Sequence, residues 1–94
     1  MDVNDALARL KHSAGLAEAY HVTTFKGVRH AKDGTTQDVT IEIWDGEPTS
    51  NPDTRYHIIA TATDGRCASG NSASSVDVAI VTVHWQGLDA PGRL

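Results

Sequence analysis

The side chains of this sequence that are best suited to metal or nucleophilic chemistry are five histidines and one cysteine. They are His12, His21, His30, His57, His84 and Cys67. A zinc site needs at least three converging ligands, usually at short spacings such as Cys-x-x-Cys or His-Glu-x-x-His, and neither motif occurs. Two histidines could still meet if His21 and His57 lay on neighbouring strands with the same facing. We expect ordinary surface or half-buried histidines, and no metal or other cofactor.

Cys67 follows Arg66, and a neighbouring cation favours the reactive thiolate form of a cysteine. A nucleophile also needs a base and an oxyanion site, and His84 is not in an obvious position to be that base. The favoured interpretation is therefore a small cysteine that faces the core. Because it is the only cysteine, it forms no disulfide within this chain.

The acidic residues could supply a pair of catalytic carboxylates, with Glu42 and Asp45 near one strand end as in a glycosidase. The simpler interpretation is that these carboxylates form turns and solvated strand faces. Nucleotide-binding and hydrolase motifs such as GxGxxG, the Walker motif and Gly-x-Ser-x-Gly are missing from the sequence. A chain of 94 residues also has little room for a deep pocket of about 300 Å³ or more. We therefore predict that the protein is not an enzyme.

The composition indicates one globular domain spanning 1–94, with 39% hydrophobic and 21% charged residues. The net charge of −4 argues against a general polyanion binder. The longest apolar run is far shorter than the ~20 residues of a membrane span. Asp2 and Asp5 occupy positions where a secretory signal carries positive charge. The expected location is therefore the cytoplasm, without membrane contact.

Apolar residues recur at helical spacing near the N-terminus, which predicts a helix over about 3–15. From Tyr20 the period changes to two, which is typical of strands. The predicted strands cover about 20–25, 39–44, 55–63 and 66–69. Asp64-Gly65, between the last two, indicates a hairpin with a two-residue type I′ turn.

The C-terminal element is ambiguous between helix and strand. Val76, Ala79, Ile80 and Val83 form a helical stripe, although many residues in this segment are β-branched and favour strands. A capping box beginning at Ser74 favours a helix over about 73–86, followed by a frayed tail over 88–94. The predicted fold class is α+β: an N-terminal helix, an antiparallel sheet of three or four strands, and a C-terminal helix packed on one face of the sheet.

Several local segments share features with one known domain. They are Leu7-Ala8-Arg9-Leu10 with Gly15-Leu16 and Tyr20-His21-Val22, Gly27-Val28-Arg29-His30, Asp64-Gly65-Arg66, Ala68-Ser69-Gly70 and Ser74-Ser75. In order and spacing the chain resembles the double-stranded RNA-binding domain, which implies that family's helix–sheet–helix fold with one strand more than its three. That family grips RNA with a Lys-Lys-x-Ala-Lys cluster, where this chain reads Val76-Asp77-Val78-Ala79-Ile80. The resemblance therefore implies the fold and not the RNA-binding activity, because phosphate contacts supply most duplex affinity.

Trp44 points away from the apolar face formed by Val39, Ile41 and Ile43. If helices cover that apolar face, Trp44 projects from an open one, where with Phe25 and Ile59 it would form an apolar patch suited to a partner. We predict a non-catalytic module that contacts an unidentified protein partner or a second copy of itself. An additional segment over Trp44, or a β-bulge that changes its facing, would remove this patch.

The alternative function is nucleic-acid binding through the one local basic stretch of the sequence. This stretch contains Lys26, Arg29, His30 and Lys32. Four such groups can contact a phosphate backbone, but the overall acidity of the chain opposes the approach of a polyanion. Nucleic-acid binding is therefore the less favoured expectation.

Overall fold

The computed structural model describes residues 3–46 and 52–89. Its elements, in chain order, are α1 (Val3–Ala14), β1 (His21–His30), β2 (Thr36–Asp45), β3 (Tyr56–Ala62), β4 (Cys67–Ser69) and α2 (Val76–Val81). Short 3₁₀ turns cover Pro52–Thr54 and Trp85–Leu88. The predicted α+β class is confirmed at this level: an N-terminal helix, four antiparallel strands and a C-terminal helix. In the part of the chain that is described, no helix has the length and apolarity that crossing a bilayer demands.

The sheet is a simple antiparallel meander in the order β1-β2-β3-β4. Gly34, with φ of +87°, makes the turn between β1 and β2, as expected for the one residue type that takes a positive φ without steric cost. The register places Ile41 between Phe25 of β1 and Ala60 of β3. Directly opposed residues share a face, so the register fixes the facing of every side chain in the sheet.

The buried cluster draws on one sheet face and on the C-terminal segment. Its members are Val39, Ile58, Ala60, Ala62, Ala68, Ala73, Ala79, Val83 and Leu88. Five of these nine residues are alanines, so the backbones approach one another closely and the core is filled without large aromatic side chains among these nine. Two glycines permit the closest approaches: a Cβ on Gly70 would lie 2.6 Å from the Thr82 carbonyl oxygen, and one on Gly87 would lie 2.6 Å from that of Cys67.

The C-terminal helix is shorter than the predicted 73–86. Its N-cap is Ser75, whose hydroxyl accepts from the Val78 backbone N–H at 3.2 Å, one position later than the predicted box at Ser74. It ends at Val81, where the Thr82 hydroxyl donates to the Val78 carbonyl at 2.9 Å. Such back-bonding competes with the helical pattern, and β-branched residues add little helix propensity to resist it.

The hairpin between β3 and β4 has a longer loop than predicted. Among the described residues, positive φ occurs only at glycines, so Asp64 does not adopt the type I′ conformation. Instead the Ala62 N–H donates to the Arg66 carbonyl at 2.8 Å, which encloses three loop residues, and Gly65 takes φ of +91°. A three-residue loop ending in a left-handed glycine is the next most common hairpin connection.

The predicted frayed tail, 88–94, overlaps the described residues only at its first two positions. Leu88 is 1% exposed and Asp89 forms an ion pair, so neither position is frayed. The segment is held because Leu88 fills the core and its carbonyl oxygen accepts from Gln37 at 2.8 Å. Residues 90–94 lie outside the described residues.

Candidate binding cleft

Trp44 lies on the sheet face opposite the buried cluster, as its alternation with Ile41 and Ile43 predicts. It is opposed by Val22 on β1 and by His57 on β3. Ile59, two residues after His57, shares this face, which we call the open face. Two of the three residues predicted to form the partner patch, Trp44 and Ile59, are therefore brought together, and both line one cleft.

Phe25, the third predicted member, lies on the other face of the sheet. Its partner in the register is Ile41, and odd-numbered residues of β1 oppose odd-numbered residues of β2 throughout. Phe25 is nevertheless 52% exposed, so it is a separate apolar surface. The prediction was wrong because β1 has no strong apolar alternation of its own, and only the register of the β1–β2 hairpin fixes its facing.

The cleft has a volume of about 260 Å³ and lies at the end of the sheet where β1 and β3 begin. One wall is aromatic: the rings of Tyr20 and Trp44 meet edge-to-face, with centroids 5.6 Å apart and planes at 66°. Ile59 and Ser72 add an apolar and a hydroxyl group to the lining. The Tyr20 hydroxyl donates to Glu18 at 3.1 Å, which raises the pKa of Tyr20 and holds the ring on Trp44.

Within residues 3–46 and 52–89, two polar atoms of the cleft residues are buried and have no hydrogen-bond partner. They are Nε1 of Trp44 and Nδ1 of His57, which belong to directly opposed residues. The indole Nε1–H can only donate, whereas Nδ1 of histidine can donate or accept according to its tautomer. Leaving such a group unsatisfied costs about 1–3 kcal/mol, so a rotation of these rings that let a bound molecule supply partners would recover free energy here.

Arg55, a cation that lines the cleft, is already neutralised. It binds the Asp45 carboxylate through two bonds, of 2.7 and 3.2 Å, and its guanidinium carbon lies 4.9 Å from the centre of the Tyr56 ring. The hydrogen bonds that Arg55 donates to Asp45 raise the pKa of Arg55. Asp45 is thus a structural partner, and it lies on the opposite face from Glu42, so these two carboxylates do not form the pair considered for a glycosidase.

The four groups of the basic stretch do not form one patch. Lys26 lies on the open face and donates to the Thr40 hydroxyl at 2.7 Å. Arg29 lies on the other face, in a bidentate ion pair with Asp89 at 2.8 and 3.0 Å that raises the pKa of Arg29. His30 is on the open face, 3.4 Å from the Thr36 hydroxyl, and the Lys32 backbone N–H donates to Asp89.

The ion pair of Arg29 belongs to a polar cluster that sequence reasoning missed. The members of this polar cluster are Arg29, Asp33, Gln37, Asp64, Arg66 and Asp89. At its centre Gln37, 1% exposed, donates to Asp64 at 3.1 Å and to the Leu88 carbonyl at 2.8 Å, and accepts from Arg29 at 3.2 Å. Gln37 is in phase with Val39 on β2, so alternation alone could have placed its side chain toward the core.

Arg66 extends the polar cluster to a second hairpin. It binds Asp33 at 2.8 Å, which lowers the pKa of that carboxyl well below its usual range. The hydrogen bond from Gln37 likewise lowers the pKa of Asp64, and the bonds from Arg29 and Lys32 lower that of Asp89 to about 2. These carboxylates therefore fasten the β1–β2 turn, the β3–β4 loop and the C-terminal segment to one another.

Because folding lowers these pKa values, the polar cluster should make the stability of the fold decrease at low pH. The contribution of Asp89 is complete above the ordinary carboxyl pKa and is lost as the pH falls from about 4 to about 2. We expect the urea midpoint of the wild type to fall over this range, and Asp89→Asn to show a shallower fall. The control is Asp38→Asn, an exposed carboxylate on β2, which should follow the wild type. Identical pH profiles for the wild type and Asp89→Asn would contradict this account.

The remaining candidate residues are dispersed. Cys67 is exposed, opposite Thr61, and Ala68 takes the core position, so the predicted facing of the cysteine was wrong by one residue. His21 and His57 lie on opposite faces, with β2 between their strands. Within residues 3–46 and 52–89, no three His, Cys, Asp or Glu side chains are grouped so that they could hold a metal ion.

Comparison with known proteins gives no relative for this chain. No family model matches it, and neither does any curated protein or any solved structure.

Proposed function

We propose that the chain is a non-catalytic interaction module that binds an extended segment of a partner protein at the cleft of Trp44. The observation that carries this proposal is the pair of buried, unpartnered polar atoms, Trp44 Nε1 and His57 Nδ1, beside an aromatic wall. In the proposed arrangement α2 and the turn at Trp85–Leu88 cover one face of the sheet, which leaves the open face to the partner.

The chemistry of the cleft favours a peptide over an anion. A peptide offers a carbonyl acceptor at every residue for the Trp44 Nε1–H, and an N–H or carbonyl for His57. Its apolar or aromatic side chain would pack against Tyr20 and Ile59, which is the kind of contact that dominates binding at protein interfaces. Arg55 adds no attraction for an anion, because Asp45 neutralises its charge at 2.7 Å.

The electrostatics of the described residues support a module without catalysis. The carboxyl groups with lowered pKa, Asp33, Asp64 and Asp89, all take part in the polar cluster that joins the hairpins. Catalytic groups with shifted pKa values are instead expected to converge in a cleft. Two residues that line the cleft, Tyr20 and Arg55, do have a raised pKa. In each case the main cause is a hydrogen bond to a structural partner, Glu18 for Tyr20 and Asp45 for Arg55. The resemblance to the double-stranded RNA-binding domain, the cytoplasmic location and the nucleic-acid alternative all stay predictions.

Selection of random peptides displayed on phage would test the proposal without knowledge of the natural partner. We expect enriched peptides with an apolar or aromatic anchor, whose affinity falls at least about tenfold on Trp44→Ala, as for a central interface tryptophan. Trp44→Phe keeps an aromatic wall and removes only the donor, so it should lose roughly three- to tenfold. Thr61→Ala, on the same face but outside the cleft, is the control and should bind as the wild type.

The proposal fails if no peptide is enriched, or if the enriched peptides bind Trp44→Ala and Trp44→Phe as tightly as the wild type. A gel-shift titration with duplex RNA at low salt is the companion experiment. Retardation that disappears on Lys26→Ala and not on Trp44→Ala would favour the nucleic-acid alternative instead.

A further inference from the structure

The two edge strands of the sheet, β1 and β4, differ in length and in how they are covered. The β4 edge is only three residues long and is covered by the C-terminal segment. There the Ser69 carbonyl accepts from the His84 N–H at 3.1 Å, and Gly87 approaches so closely that a Cβ would lie 2.6 Å from the Cys67 carbonyl oxygen. Covering an edge in this way prevents pairing with another chain.

The β1 edge has ten residues. Within the described residues β1 pairs with β2 alone, so among them its outer side has no cover comparable to that of β4. It contains no proline, and it exposes apolar side chains on both faces, with Phe25 at 52% and Val28 at 69%. A long edge strand that exposes apolar side chains is a template for the addition of another strand.

The hydrogen-bond pattern shows which residues of β1 face this free edge. The Ala31 N–H donates to the Thr35 carbonyl at 2.7 Å, so Ala31 and Thr35 form a hydrogen-bonded pair that continues the β1–β2 ladder. Such pairs alternate along an antiparallel ladder, so the odd-numbered residues of β1 bond to β2. The even-numbered residues, including Val22, Thr24, Lys26 and Val28, therefore direct their N–H and carbonyl groups outward.

We propose that β1 pairs antiparallel with β1 of a second copy, about a two-fold axis through Phe25, and so joins two sheets into one. A two-fold axis perpendicular to the sheet keeps the core-side faces of both copies on the same side of the joined sheet. The axis must pass through a residue rather than between two residues, because only then do even-numbered residues, which direct their N–H and carbonyl groups outward, oppose even-numbered residues of the second copy. With the axis at Phe25, this side chain meets Phe25 of the partner subunit, and Val22 lies opposite the partner subunit's Val28. The exposed side chains of Phe25 and Val28 in both copies are then covered.

Neighbouring registers are less favourable. An axis at Lys26 would place that lysine directly opposite Lys26 of the partner subunit, and like charges directly opposite are destabilising. An axis at Thr24 would place Phe25 opposite Thr23 of the partner subunit, leaving the aromatic pair unmade. In the Phe25 register, Lys26 opposes the partner's Thr24, and Arg29 is already neutralised by Asp89. Self-recognition of the strand thus selects one register.

Sedimentation equilibrium of the full chain tests whether the dimer exists. A strand-to-strand contact is at the small end of protein interfaces, so we expect a dimer of twice 10.0 kDa that half-dissociates at about 100 µM. Val28→Lys adds charge at the interface and should give a monomer. Thr61→Lys adds the same charge on an inner strand and should remain dimeric. A wild type that stays monomeric to about 1 mM, or a Val28→Lys variant that dimerises as the wild type, would overturn the proposal.

Disulfide trapping tests the register. In a Cys67→Ser background, Phe25→Cys places two thiols at the two-fold axis, where opposed residues that are not hydrogen-bonded have Cα atoms about 4.5 Å apart, within disulfide range. We expect this variant to form a covalent dimer on oxidation faster than Thr23→Cys, whose thiol opposes the partner subunit's Gly27. Faster cross-linking of Thr23→Cys or Lys26→Cys than of Phe25→Cys would overturn the Phe25 register. Circular dichroism of each reduced variant confirms that it is folded.

Discussion

Replacing Gln37 with leucine is expected to lower the free energy of unfolding by about 2–3 kcal/mol. Leucine has a similar size, so the loss reflects hydrogen bonding rather than a cavity. The variant would leave the Leu88 carbonyl without its 2.8 Å donor, and would remove bonds of 3.1 and 3.2 Å to Asp64 and Arg29. The Leu88 carbonyl would keep only the long bond of 3.5 Å from Arg66. A buried polar group that loses its close partner costs more than a typical hydrogen bond contributes. Urea denaturation followed by circular dichroism measures the change.

The matched control for this prediction is Gln86→Leu, since Gln86 is an exposed amide in the turn at Trp85–Leu88. We expect it to change the free energy of unfolding by less than about 0.5 kcal/mol, as for most surface substitutions. Equal losses for Gln37→Leu and Gln86→Leu would show that the polar cluster does not fasten the C-terminal segment in the way that the contacts indicate.

Replacing Gly70 with alanine is expected to have a comparably large effect, about 2–3 kcal/mol. The added Cβ would lie 2.6 Å from the Thr82 carbonyl oxygen and 3.0 Å from the Val83 Cα. Both are backbone atoms, so no side chain can rotate away, and the end of β4 must move from the end of α2. Thermal unfolding of the variant should therefore show a markedly lower midpoint than the wild type.

Gly27→Ala separates steric crowding from any general effect of glycine replacement. A Cβ at Gly27 meets nothing within 4 Å, and this residue lies within β1. Because glycine inside a strand costs roughly 0.5–1 kcal/mol relative to alanine, this variant should be neutral or slightly more stable. If Gly70→Ala unfolded at the same midpoint as Gly27→Ala, the close approach of β4 and α2 would be refuted.

The strands with clear alternation were predictable from the sequence, and so was the facing of their side chains. Val39, Ile41 and Ile43 fix the phase of β2, and the same phase places Trp44 on the open face and Gln37 in the core. The β1 strand has no comparable phase, because polar and apolar residues occur on both of its faces. For this reason the facing of Phe25 required the register of the hairpin, which depends on the turn around Gly34.

The C-terminal segment was only partly predictable because local signals conflict there. The stripe of Val76, Ala79, Ile80 and Val83 indicated a helix, but Thr82 back-bonds to the Val78 carbonyl and the helix stops at Val81. The unpartnered atoms of the cleft had no sequence signal at all. Trp44 and His57 are distant along the chain, and only the β2–β3 register opposes them.

The indole N–H signals in a ¹H–¹⁵N correlation spectrum give the most direct test of the central claim, that Trp44 is the binding residue of an interaction module. Trp85 serves as an internal control, because its Nε1–H already donates to the Ile80 carbonyl at 3.1 Å. On titration with a display-selected peptide, the Trp44 indole proton should move downfield and saturate as it gains an acceptor, while the Trp85 signal stays in place. If the peptide binds and the Trp44 indole signal does not move, the cleft is not the site and the account is wrong.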